Sequence, residues 1–177
     1  MTTLRIKKSE KDALYFCTLT IHKWYYVFDR HNRFEILEKN LQYCQKHKGL
    51  TLHAYVFMLN HLHIIASAPD LIGVLRDFKS FTSKEFSKNI CAFEPRILKL
   101  FETEKGFRFW QPGNEPKIIE TEKFLQQKYD YILENPVKKG YVHSPEHWKW
   151  SSANPIQKRL FISDQFGEET DAFNRDD

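Results

Sequence analysis

Leu52-His-Ala-Tyr-Val-Phe-Met-Leu-Asn-His-Leu-His-Ile-Ile-Ala-Ser67 decides how this chain of 177 residues folds. It holds two apolar runs, Leu52 to Met58 and Leu62 to Ser67, separated by only a few residues, which read as two strands joined by a tight connection. In the second run Leu62, Ile64 and Ala66 alternate with His61 and His63. The apolar set therefore turns to a core, and the two imidazoles share the opposite face. Upstream, Leu14 to Ile21 is β-branched and aromatic, hence a strand. Phe34, Leu37, Leu41 and Cys44 follow at helical spacing and end before Gly49, which suits a helix C-terminus. Downstream, Asp70 can cap a long helix carrying Leu71, Val74, Leu75, Phe78 and Phe86. The pattern fades from Cys91 to Gly106, where Phe93, Ile97, Leu98 and Phe101 support no more than a short helical turn. Phe107 to Ile119 is strand-like but broken by Pro112, Gly113 and Pro116, which predicts a broken or edge strand. Phe124 to Glu134 reads as a helix stopped by Asn135-Pro136. The order gives an α+β fold, ferredoxin-like βαββαβ: an antiparallel sheet with helices on one face and an added C-terminal helix.

With 41% hydrophobic and 28% charged residues, the chain fits one globular domain, 1–163, followed by an acidic tail, 164–177. The tail carries six acids and one base, so of the whole chain's +4 the remaining body holds +9. A body that basic suits an anionic partner such as nucleic acid. No apolar run is long enough to span a bilayer, and Met1 to Glu10 lacks a signal-peptide core. The expected location is cytoplasmic, at the nucleoid when bound to DNA. Cys17, Cys44 and Cys91, three with no paired spacing, argue against a disulfide framework or a zinc knuckle.

His61 and His63, two apart on a strand, could meet one metal ion, imidazole being the commonest transition-metal ligand. They could equally be two half-exposed histidines on a polar sheet face. The helix from Phe124 to Glu134 separates into two sides. Leu125, Tyr129, Ile132 and Leu133 form an apolar stripe expected to face the sheet, which makes Tyr129 a core tyrosine. Tyr131 lies on the other side with Lys128 and Asn135, presented outward.

Taken together, several stretches resemble the HUH single-tyrosine transposases, and within them the REP-associated tyrosine transposases of bacteria. They are Ala54 to Ile65, Asp77-Phe-Lys-Ser-Phe-Thr82, Phe109-Trp-Gln-Pro112, Asp130-Tyr-Ile-Leu-Glu-Asn-Pro-Val-Lys-Lys-Gly-Tyr-Val142 and Trp150-Ser-Ser152, in family order. The resemblance implies a catalytic Tyr131, metal ligands His61 and His63, and a third, amide ligand at Asn135. It implies a metal-dependent single-stranded DNA endonuclease and strand transferase that works through a 5′-phosphotyrosine. The cofactor would be Mg²⁺ or Mn²⁺, the histidines tilting the choice to Mn²⁺. Partners would be single-stranded or hairpin DNA, with a homodimer as one arrangement, in which Tyr131 could act on the other subunit's histidines. Just after Trp110-Gln111 the chain departs from the family: histidines are expected there, and Pro112 to Lys117 has none. Arg76 and Lys79, Lys128, and Lys138 with Lys139 are candidate DNA contacts, and Arg5, Lys7 and Lys8 a candidate basic arm. The competing reading is a non-catalytic, domesticated ferredoxin-like nucleic-acid-binding module. A small-molecule metalloenzyme on this fold would need a deep apolar pocket.

Overall fold

The structure is a computed structural model and describes residues 13–113, 116–156, 160 and 162–163. Arg5, Lys7, Lys8 and the acidic tail lie outside the described residues. The elements run β1 (Tyr15–Thr20), α1 (Arg33–Lys48), β2 (Thr51–Phe57), β3 (His61–Ser67), α2 (Leu71–Phe93), α3 (Pro95–Leu98), β4 (Glu102–Thr103), β5 (Gly106–Phe107), β6 (Lys117–Ile118) and α4 (Glu122–Lys138). The main sheet has the order β2-β3-β1-β6, all antiparallel neighbours, while β4 and β5 form a small separate hairpin. β1 and β2 are therefore parallel with β3 between them, bridged by α1, the split βαβ of a ferredoxin-like fold.

The local signals act as expected at the first five elements. Gly49 takes a left-handed φ of 65° that closes α1. The Asp70 carboxylate accepts from Gly73 N at 3.0 Å and caps α2. Leu62, Ile64 and Ala66 join Tyr15, Cys17 and Leu19 in the larger core, covered by Leu37 and Leu41 of α1 and by Val74, Phe78 and Phe86 of α2. Some of the stretches that carry the resemblance fasten this core. The Trp110 indole donates to Thr82 Oγ1 at 2.9 Å, and Trp150 stacks on Phe34 at 4.8 Å. Cys17 and Cys44 are buried free thiols and Cys91 an exposed one. Among the described residues no helix is long and apolar enough to cross a membrane.

Beyond the first five elements the structure refines the expected pattern. α2 continues to Phe93, past the point where the apolar spacing fades, and the short helical turn expected beyond it is α3. The broken or edge strand expected over Phe107 to Ile119 is found in pieces: Phe107 ends β5, Trp110 makes an isolated bridge to Ile21, and Lys117 and Ile118 pair with Tyr15 and Phe16 at the sheet edge. The two helices of the βαββαβ unit, α1 and α2, share one face as expected, and the added helix is α4. α4 lies against the second face, where Phe16, Ala54, Val56, Met58, Ile65 and Ile132 make a smaller core.

α4 also does not stop at Asn135-Pro136. A proline forfeits one hydrogen bond near a helix end, and the last turn is rebuilt beyond it. Tyr141 N donates to Pro136 O at 2.9 Å and Gly140 N to Val137 O at 2.8 Å, with Gly140 at φ 72°. This is a Schellman closure, which glycine permits and which satisfies the final carbonyls.

Candidate active site

His61 and His63 project from β3 toward α4, their ring centroids 4.8 Å apart. His63 is buried, only 4% exposed, while His61 stays partly exposed at the start of β3. Each ring is held by a partner at Nδ1. Thr18, the cross-strand neighbour of His63 on β1, places Oγ1 2.8 Å from His63 Nδ1. Asn60 Oδ1 sits 2.7 Å from His61 Nδ1. The orientation of the Asn60 amide is itself fixed, because its Nδ2 donates to Trp24 O at 2.6 Å and a carbonyl can only accept. His61 Nδ1 must then donate, which leaves a bare lone pair at His61 Nε2. Burial first, then Lys139, pushes the His61 imidazole down to about 4. Burial first, then His61 and Lys128, pushes His63 down to about 3. Both rings are therefore neutral at pH 7, the form that binds a metal or accepts a proton.

α4 brings Tyr131 to this pair. Its hydroxyl lies 3.4 Å from His63 Nε2 within the same chain, and its ring stands edge-on to His63 at 5.0 Å and to Phe16 at 5.9 Å. Tyr131 is thus not simply presented outward. It is 38% exposed while resting on the sheet, at the open edge of the site. Tyr129, expected in the core, is 39% exposed, whereas Ile132 is fully buried, with Leu125 and Leu133 packed beside it. The helix is rotated so that the stripe facing the sheet passes through Leu125, Ile132, Asn135 and Pro136.

Asn135 is buried, 4% exposed. Tyr131, Asn135 and Lys139 are successive steps of four along α4 and so share one side of it. Tyr131 meets His63 at one end of that row, and Lys139 shares a cavity with His61 at the other. Asn135 lies between them. Two neutral imidazoles, one with a bare Nε2, and a buried amide on the facing helix fit a divalent cation with open positions. Among the described residues no group of three or more His, Cys, Asp or Glu gathers.

The candidate DNA contacts divide between the two faces. Lys128 Nζ lies 5.0 Å from the Phe16 centroid and 5.7 Å from that of Tyr131, at the site itself. Lys138 and Lys139 close α4. Arg76 and Lys79 sit on α2, across the sheet from the histidines. Arg76 pairs with Asp77 at 3.3 Å, and Lys79 lines a separate groove with Lys105 and Arg108. Sequence reading missed Asn60, Thr18 and Phe16. The available signals were the adjacency of Asn60 to His61 and, once β1 is paired to β3, the register that sets Thr18 opposite His63.

No family model matches the chain. It is 24% identical over 163 residues to a Haemophilus influenzae protein named for the REP-associated tyrosine transposases, covering 91% of each chain. It is also 24% identical over 158 residues to the REP-associated tyrosine transposase of Escherichia coli K12, covering 84% of this chain and 87% of that one. A solved REP-associated tyrosine transposase bound to a REP hairpin shares the fold, with a TM-score of 0.67 at 20% identity over 97% of this chain and 94% of its own. In sequence and in fold the chain is thus similar to REP-associated tyrosine transposases, the single-tyrosine family that its histidine pair and its tyrosine helix resemble.

Proposed function

We infer that this protein is a transposase-type enzyme that cuts and rejoins single-stranded or hairpin-bearing DNA through Tyr131. The observation that carries this reading is the Tyr131 hydroxyl 3.4 Å from His63 Nε2, on a helix that runs beside both histidines. The basic body, the likeness to hairpin-binding transposases and the cations at both ends of the site support DNA as the substrate.

In the proposed reaction the Tyr131 phenol oxygen bonds to phosphorus as the bond to the 3′ oxygen breaks. The phenol gives up its proton and the departing 3′ oxygen takes one up, leaving a 5′-phosphotyrosine and a free 3′-hydroxyl. The ester keeps the bond energy, so the reverse attack rejoins strands without ATP. A phenol, ordinarily ionising near 10, is a weak nucleophile at neutral pH and needs help. His63 and Phe16 fix the ring edge-on, which limits the directions the hydroxyl can take. The Lys128 ammonium, 5.7 Å from the Tyr131 ring centroid, offers a positive charge to a phosphate brought to the tyrosine. Asn60 holds the His61 ring through Nδ1, and Lys139 offers a positive charge to the strand. A divalent cation, Mg²⁺ or Mn²⁺, held by His61, His63 and Asn135 would supply charge neutralisation and polarisation of the phosphate.

The test is incubation with labelled single-stranded DNA carrying the sequence that flanks the gene, with Mg²⁺ or Mn²⁺, followed by a denaturing gel. A covalent protein–DNA adduct is expected from the unaltered protein. DNA binding with no adduct under either ion would leave the chain a binding module and overturn the catalytic reading.

A further inference from the structure

A cavity of about 370 Å³ opens beside His61, on the side away from Tyr131, walled by Trp24, Tyr26, Asn60, His61, Lys139 and Tyr141. Resting on the phosphodiester chemistry inferred above, we propose that this cavity is a nucleobase subsite. It takes the unstacked base of the nucleotide immediately 5′ of the cleaved phosphate, the one that departs with the 3′-hydroxyl.

Two of its walls are large aromatics left in solvent, Trp24 at 58% and Tyr26 at 56% exposed. Trp24 is not loose. Lys23 and Trp24 both take left-handed backbone angles, φ 55° and 61°, which cost energy for residues with a side chain. The turn is held by Trp24 N donating to Ile21 O at 3.0 Å and by Asn60 Nδ2 donating to Trp24 O at 2.6 Å. Tyr25 anchors it from below, edge-on to Phe101 at 5.6 Å. The result presents the indole edge-on to His61, centroids 6.1 Å apart. Tyr141 is fixed by the closure of α4 at Gly140 and by Trp148, 5.4 Å away. Rigid, solvent-facing aromatic walls are what an unstacked base requires, and such stacking tolerates any base.

The charge agrees. Among the described residues, Lys139 is the one charged residue lining the cavity and no carboxylate lines it, which suits a strand carrying phosphates. The polarity follows from the direction of attack. In phosphoryl transfer the attacking and leaving oxygens lie roughly in line across phosphorus. Tyr131 stands at the His63 end, so the leaving 3′ oxygen and its nucleotide point to the His61 end, where the cavity lies. Holding that base would keep the 3′-hydroxyl near the phosphotyrosine for rejoining.

The experiment uses the full chain, without added metal for binding and with Mg²⁺ or Mn²⁺ for cleavage. The probes are the flanking-DNA oligonucleotide and copies with one abasic position moved along the strand. Indole fluorescence and a gel follow binding, and the denaturing gel maps the cut. An abasic position just 5′ of the cut should weaken binding on the order of ten- to a hundredfold. One just 3′ of the cut should have little effect. Trp24→Ala should lose that discrimination with an unchanged melting temperature. Trp24→Phe should keep the affinity and lose the quenching. Discrimination that persists in Trp24→Ala, or that falls only on the 3′ side, overturns the subsite. Base-dependent quenching that Trp24→Ala removes, in a protein that forms no adduct, would keep the base pocket while the catalytic reading falls. An adduct with no base-dependent effect of Trp24 would do the reverse.

Discussion

On the α1/α2 side, the sheet buries Phe28, Phe57, Phe78, Phe86 and Phe101 in one continuous core. On the α4 side it buries Phe16, Ala54, Val56, Met58, Ile65 and Ile132, and then gives way to His63 and the open edge at Tyr131. β1 and β3 serve both sides. A strand that alternates its side chains can anchor itself on one face while the other carries polar groups, and the stiffness gained from the deep face is what holds two imidazoles 4.8 Å apart on the thin one.

The largest effect should come from the chemical face with no cost in stability. Tyr131→Phe is expected to remove the covalent adduct while leaving the melting temperature within a degree or two, because only a hydroxyl at the solvent edge is lost. Tyr129→Phe should keep full adduct formation. An active Tyr131→Phe beside a dead Tyr129→Phe, read on the same denaturing gel, would exchange their roles and break the assignment.

Stability should respond in the opposite sense. Phe86 is fully buried and packs on Phe28, Phe109 and Trp110, so Phe86→Ala should cost about 3–5 kcal/mol in urea unfolding. Ile132→Ala, in the thinner cluster, should cost about 2 kcal/mol, the low end for such a truncation. Equal losses at the two positions would show that the faces contribute alike.

A smaller change is expected from Asn60→Ala. It removes the acceptor that makes His61 Nδ1 the donor, so imidazole ¹⁵N shifts should show His61 losing its single tautomer. Divalent-ion affinity by calorimetry should fall about 10–100-fold, the usual cost of losing a partner behind a ligand. An unchanged tautomer would mean that the Trp24–Asn60–His61 chain of hydrogen bonds does not set the ring.

Acid should reveal the thin face last. His63 ionises near 3 when folded, against about 6.5 in an unfolded chain. Between these values the unfolded state binds a proton that the folded state refuses. His63 therefore lowers stability progressively as pH falls below 6.5, by about 2 kcal/mol at pH 5. His61, pushed down to about 4, acts in the same sense over this window, so His63→Gln should reduce the slope of stability against pH between 6.5 and 4 without abolishing it, and an unaltered slope would place the acid sensitivity elsewhere.

The sequence by itself determined β1, α1, β2, β3 and the start of α2, because alternation, helical spacing and caps are local signals that these residues carry without conflict. It also determined that His61 and His63 share a face, since a period of two leaves no other outcome in a strand. What only the tertiary structure decided is how α4 is turned. Periodicity gives the angles between residues on a helix but not the helix's rotation against a sheet. That is why Tyr129, grouped with Leu125 and Ile132 on the wheel, stands in solvent while Tyr131 rests against His63. The continuation through Pro136 was hidden for a similar reason: the lost hydrogen bond is offset by Gly140 and Tyr141, whose bonds exist only once the last turn has closed. Likewise, Lys128 and Lys79 look alike as surface cations in sequence. Only the packing of α2 and α4 on opposite faces sets one beside the tyrosine and the other across the sheet, because side-chain charge is local information and the face that receives a helix is not.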